Sequence, residues 1–177
     1  TGFVQSNLGG TDATVATDTS VSLDPGTGRA TIVYRRVNGQ IGVWERTTYG
    51  KPWTYRTLGS TGEVSDATSP DLVRSGSQDT DDLINAMAYR NAGGGISYWA
   101  ESPDLGWVGP FNLGQSVAAV TSPSIAREAT NGTTEIAYRT SDGKVGLTTW
   151  TSAFGWTHAT FGKTNSVDIG ASPEVAR

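Results

Sequence analysis

The sequence predicts an all-β chain built from repeated four-stranded units, and three observations carry that prediction. First, Tyr34, Tyr89 and Tyr138 recur at steps of 55 and 49 residues, each followed by an arginine: Arg35, Arg90 and Arg139. Second, Ser-Pro segments (SPDLVR, SPSIAR and SPEVAR) begin at Ser69, Ser122 and Ser172, at steps of 53 and 50. Two independent anchors that agree on one period mark an internal repeat. Third, the chain holds 23 Gly, six Trp, six Tyr and four Phe with only 17% charged residues, a mix that suits short strands, tight turns and aromatic packing layers.

Within a repeat the elements follow from turn chemistry. Asn38-Gly39, Gly93-Gly94 and Asp142-Gly143 separate runs of alternating apolar residues, such as IVYR and IGVW, and are expected to form two-residue hairpin turns. Pro52-Trp53, Gly106-Trp107 and Gly155-Trp156 then open a further strand, which closes at Leu58-Gly59, Leu113-Gly114 and Phe161-Gly162. The Ser-Pro segment starts the next strand, with proline at its beginning because it cannot donate to a ladder.

Four short strands per repeat is the pattern of a β-propeller blade. The expected architecture is a half-ring of three complete four-stranded antiparallel blades, at residues 19–60, 69–115 and 122–163. Residues 1–10 match the outer strand of a blade and residues 172–177 the inner strand, so both are read as parts of a split blade. Propellers have 4–8 blades, so three are not expected to close alone, and a second chain is expected to complete the ring.

The cadence of VWERTTYGKPWTYRTLG and YWAESPDLGWVGPFNLG resembles that of the PLL-type seven-bladed propeller lectins of insect-pathogenic bacteria. It is also similar to the secreted Streptomyces propeller called dispase autolysis-inducing protein. The resemblance covers the whole chain at the level of blade pattern and implies sugar binding in grooves between blades, with a C–H face stacked on an aromatic ring. On that basis Trp44 and Trp99 are the candidate platforms, and Trp150, Arg46 and Glu101 complete the candidate ligand-binding set. Trp53, Trp107 and Trp156 recur at equivalent positions and are expected to pack blade against blade. The resemblance allows a second reading, a propeller that acts on an extracellular protease or serves as a cross-linking substrate through Gln5, Gln40, Gln78 or Gln115. A third reading is an engineered or fragment half-propeller.

Other chemistry has little footing. A net charge of -4 and a pI near 4.9 offer no cationic surface to nucleic acid. No apolar run is long enough to span a bilayer, so no membrane partner is expected. His158 is the single histidine, no cysteine is present and no nucleophile motif accompanies them, so no catalytic residue is expected and the chain is read as non-enzymatic. No cofactor or metal is expected; the acidic run Gln78 to Asp82 is read as a solvated connector and Asn131-Gly132-Thr133 as a turn. Ten arginines against three lysines, with abundant Thr and Gly, point to a secreted bacterial protein.

Overall fold

The computed structural model describes residue 8 and residues 17–75, 83–128, 130–168 and 170–175. Among the described residues, twelve strands form three four-stranded antiparallel sheets. The first sheet holds β1 (Thr19–Leu23), β2 (Ala30–Arg35), β3 (Ile41–Arg46) and β4 (Thr54–Leu58). The second holds β5 (Asp71–Arg74), β6 (Asn85–Arg90), β7 (Ile96–Ser102) and β8 (Gly106–Asn112). The third holds β9 (Ser124–Arg127), β10 (Thr134–Arg139), β11 (Val145–Thr151) and β12 (Gly155–Phe161). Each sheet is a meander in sequence order, and the described residues contain no helix. The fold is a partial β-propeller of three blades.

The inner strands are stitched by one repeated device. Asp18 N donates to Ser69 Oγ at 2.8 Å, Ser69 N to Ser122 Oγ at 2.9 Å, and Ser122 N to Ser172 Oγ at 3.1 Å. A second set runs the other way: Leu72 N donates back to Ser20 Oγ, Ile125 N to Asp71 Oδ2 and Val175 N to Ser124 Oγ. Residues 172–175 thus take the place of an inner strand without being one, and among the described residues no strand pairs with them. Residues 176–177, and all of 1–10 except Leu8, lie outside the described residues.

The hairpins between the second and third strands correct one expectation. Gly39, Gly94 and Gly143 each donate to the carbonyl three residues back, on Arg36, Asn91 and Thr140, and each has φ near +80°. These are three-residue loops closed by a left-handed glycine rather than two-residue turns; the preceding Asn38, Gly93 and Asp142 keep negative φ. The Tyr-Arg arginines prove structural: Arg35, Arg90 and Arg139 each send Nε to a carbonyl of the following connector, on Val64, Val117 and Val167. They pin every connector under its own blade.

The core lies between blades. Strand alternation points Ile41, Val43 and Glu45 of β3 at the second blade, while Gly42, Trp44 and Arg46 point the other way. Val33, Ile41 and Val43 meet Met87, Tyr89, Trp99 and Trp107 in one cluster. Ala86, Ala88, Ile96 and Tyr98 meet Ile125, Ile136 and Tyr138 in the other, with Trp156 packed against it.

Candidate functional site

Aligning the third strands by register shows what the candidate residues have in common. Ala30 pairs with Arg46, Asn85 with Glu101 and Thr134 with Trp150, so Arg46, Glu101 and Trp150 occupy one position in three blades. Trp44, Trp99 and Thr148 share a second position two residues earlier. All six lie on the same face of their blade, which in the second and third blades is turned to the preceding one, yet they fall into three separate surroundings.

The interface between the first and second blades is closed by charge. Trp107 donates its indole N–H to Glu45 Oε1 at 2.8 Å, and Arg56 pairs with Glu45 at 2.8 Å. Glu101 accepts from Arg29 at 2.6 Å and from Asn85, and Asn85 also meets Thr31 and Ser22. Burial pushes the Glu101 carboxyl above the usual carboxylate range; the Asn85 hydrogen bond and the Arg29 charge offset part of that, and the nearby Glu45 adds to it. Each polar group shown here is used on a neighbour across or within the interface.

The interface between the second and third blades is open. The positions of Val43, Glu45 and Arg56 are held in the second blade by Tyr98, Ala100 and Phe111, and Trp150 stands where the other interface has Glu101. Exchanging a carboxylate for Ala100 removes the partner of the indole N–H and leaves space. The result is a groove of about 360 Å³ lined by Leu83, Tyr98, Ala100, Phe111, Trp150 and Trp156. Tyr98 meets Trp156 edge-on at 5.2 Å and Phe111 at 6.4 Å. The Arg127 guanidinium lies 6.0 Å from the Trp150 ring and is itself bonded to Ser75 and Thr134 of the two blades.

Of the candidate ligand-binding residues the structure brings one into this groove, Trp150, and neither of the two candidate platforms lines it. Trp99 is 8% exposed and packed in the core, with its indole N–H on the Tyr89 hydroxyl at 3.3 Å and Gly109 tight beneath its ring. A ring so enclosed offers no face to a sugar. Trp44 is half-buried, its ring tilted by 40° against Tyr55 at 4.9 Å. It faces the side of the first blade on which none of the three described blades packs, so it lines no groove between described blades. Arg46, on the same side, lies over Trp53 at 5.0 Å and Tyr49 at 5.4 Å. Tyr98 and Phe111 were missed from the sequence; the signal was that their two positions turn aromatic only in the second blade.

The remaining candidates resolve simply. Trp107 is buried and Trp156 half-buried against the preceding blade, as packing residues should be. Arg74 pairs with Asp24 at 2.9 Å. His158 shares a hydrogen bond with Thr148 at 2.9 Å. Asn131 caps the Thr133 N–H in a turn. Gln40 is bonded to Arg36, Asn38 and Gly59, and Gln115 to Tyr138 and Leu113, so both carboxamides are tied into the fold. Gln5 and the acidic run at 78–82 lie outside the described residues.

No family model and no curated protein sequence matches the chain. Solved structures do. AofleA from Arthrobotrys oligospora is 16% identical with a TM-score of 0.66, covering 88% of this chain and 44% of its own. A triple arginine-to-alanine mutant of AofleA is 18% identical with a TM-score of 0.65, covering 86% and 42%. The BP39L lectin from Burkholderia pseudomallei is 12% identical with a TM-score of 0.65, covering 78% and 39%. The likeness establishes a fold shared with a lectin. The chain spans about two-fifths of the length of the structures it matches.

Proposed function

We propose that the chain is a non-enzymatic, carbohydrate-binding propeller module that takes its ligand between the second and third blades. The observation that carries this reading is the open aromatic groove, set beside an equivalent interface that is closed by Glu45, Arg56, Glu101 and Arg29. Its volume and lining suit a small ligand with an apolar face. The Trp150 and Trp156 rings would supply the stacking surfaces. The shared fold with a propeller lectin supports the same class of ligand. We place the module outside the cell, where displayed glycans are met.

A glycan array followed by calorimetry on the best sugar tests the reading. Binding that is lost in Trp150→Ala, with the thermal midpoint nearly unchanged, is the expected result. A silent array with demonstrably folded protein would overturn it.

We also propose that a second chain continues the ring. Leu147 is half-buried at a position where Val43 and Tyr98 are buried by a following blade. An apolar face of that kind is what another blade would cover.

A further inference from the structure

Compared with the closed interface, the groove between the second and third blades lacks one particular chemical group. Trp107 and Trp156 hold one register position, opposite Glu101 and Trp150. Glu45 and Ala100 likewise correspond, paired with Thr31 and Ala86 of the neighbouring strands. In the closed interface the Trp107 indole N–H donates to the Glu45 carboxylate at 2.8 Å. In the groove a methyl group stands in place of that carboxylate. Trp156 is half-buried, and among the described residues its indole N–H has no hydrogen-bond partner. The balancing cation is gone as well, because Arg56 corresponds to Phe111. None of the groove's lining side chains is charged, and the Arg127 guanidinium beside Trp150 is bonded to Ser75 and Thr134.

We propose that the groove selects an acetamido group, as carried by N-acetylated amino sugars. Its carbonyl oxygen accepts the Trp156 indole N–H, and its methyl sits beside Ala100. The proposal rests on the carbohydrate reading above and names the substituent which that reading leaves open. Glutamate exceeds alanine by a methylene and a carboxylate, and an acetamido group, CH3–C(=O)–NH–, has the same skeleton without the charge. A ligand carboxylate in this place would be desolvated with no cation beside it, which is costly. An ammonium would find no carboxylate. A hydroxyl would bring a proton for which the lining side chains offer only the Tyr98 oxygen, since an indole donates and does not accept. A carbonyl brings acceptor lone pairs alone. The Trp150 ring and the edge-on pair of Tyr98 and Trp156 give the flat amide and its methyl aromatic surfaces to lie against.

Calorimetry on the folded chain tests this with N-acetylglucosamine and N-acetylgalactosamine against glucose, galactose and the 2-O-methyl ethers of both. At least one acetamido sugar is expected to bind about tenfold more tightly than its parent and its ether. Trp156→Phe keeps an aromatic ring and removes the N–H, so that preference should vanish. The indole N–H resonance missing from this variant should be the one the sugar shifts in the wild type. Ala100→Glu should abolish binding by filling the space with its own carboxylate, with the unfolding midpoint reporting that the sheets are intact. Parents or ethers that bind as tightly, or a preference that survives Trp156→Phe, overturn the acetamido proposal and leave the carbohydrate reading standing. A folded Ala100→Glu that binds acetamido sugars like the wild type overturns it too, whether or not Trp156→Phe is stable. A glycan array silent throughout overturns both readings.

Discussion

Glu101 and Trp150 hold one register position in neighbouring blades and have opposite consequences. Glu101 is buried in an ion-paired interface, while Trp150 lines an open groove. Because burial raises the Glu101 carboxyl above its usual value of 4.5, the folded chain holds that proton more tightly than the unfolded chain. The destabilisation from its buried charge is absent below the unfolded value and sets in as pH rises through the raised folded value. Glu101→Gln should therefore flatten the fall in stability as pH rises above about 4.5, read as unfolding midpoints at increasing pH. Parallel profiles for variant and wild type would refute this. Trp99→Ala and Trp150→Ala should also separate cleanly. The first empties a core position and is expected to cost about 3–5 kcal/mol, measured by urea unfolding. The second lines a groove that already stands open, so its loss should register in ligand binding.

At the level of elements, the three-residue hairpins and the connectors act as one piece. A Cβ on Gly39 would come within 2.7 Å of the Gly62 Cα, and φ at Gly39 is +79°. Gly114 has a similar φ of +77° but open space around it. Gly39→Ala should thus destabilise by roughly 1–3 kcal/mol more than Gly114→Ala, since only the first adds a backbone clash to the conformational strain. Equal losses would show that the docked connector yields freely. Glycine inside the third strand has a different reason. Tyr34 lies over Gly42 and Tyr138 over Gly146, and a Cβ at either would sit within 2.4 Å of the ring. In the first and third blades the repeat tyrosine thus shields a glycine of the next strand, whereas in the second blade Tyr89 pairs with Ser97.

Across the whole molecule, Ile41, Val43, Ile96 and Tyr98 are buried where they face a following blade, while Val145 and Leu147, at the same positions of the third blade, are only half-covered. Leu147 reports this most directly. If a second chain continues the ring, sedimentation equilibrium at micromolar concentration should show association, and Leu147→Glu should weaken it without disturbing the three sheets. A monomer that stays folded at that concentration would argue against ring completion in this way.

Blade number, strand order and the hairpin glycines were legible in the sequence, because each rests on local periodicity and turn chemistry repeated three times. So was the division of Trp107 and Trp156 from the variable aromatics. The choice between Trp44, Trp99 and Trp150 was not. A strand pattern assigns these residues to a face, but what covers that face is set by other strands and other blades: Gly109 of the next strand closes on Trp99 from within its own blade, and Ala100 opens space beside Trp156 from the blade before. Exposure at an interface is a property of two surfaces. The repeat specified the blades one by one, and only their packing decided which gap between them stayed open.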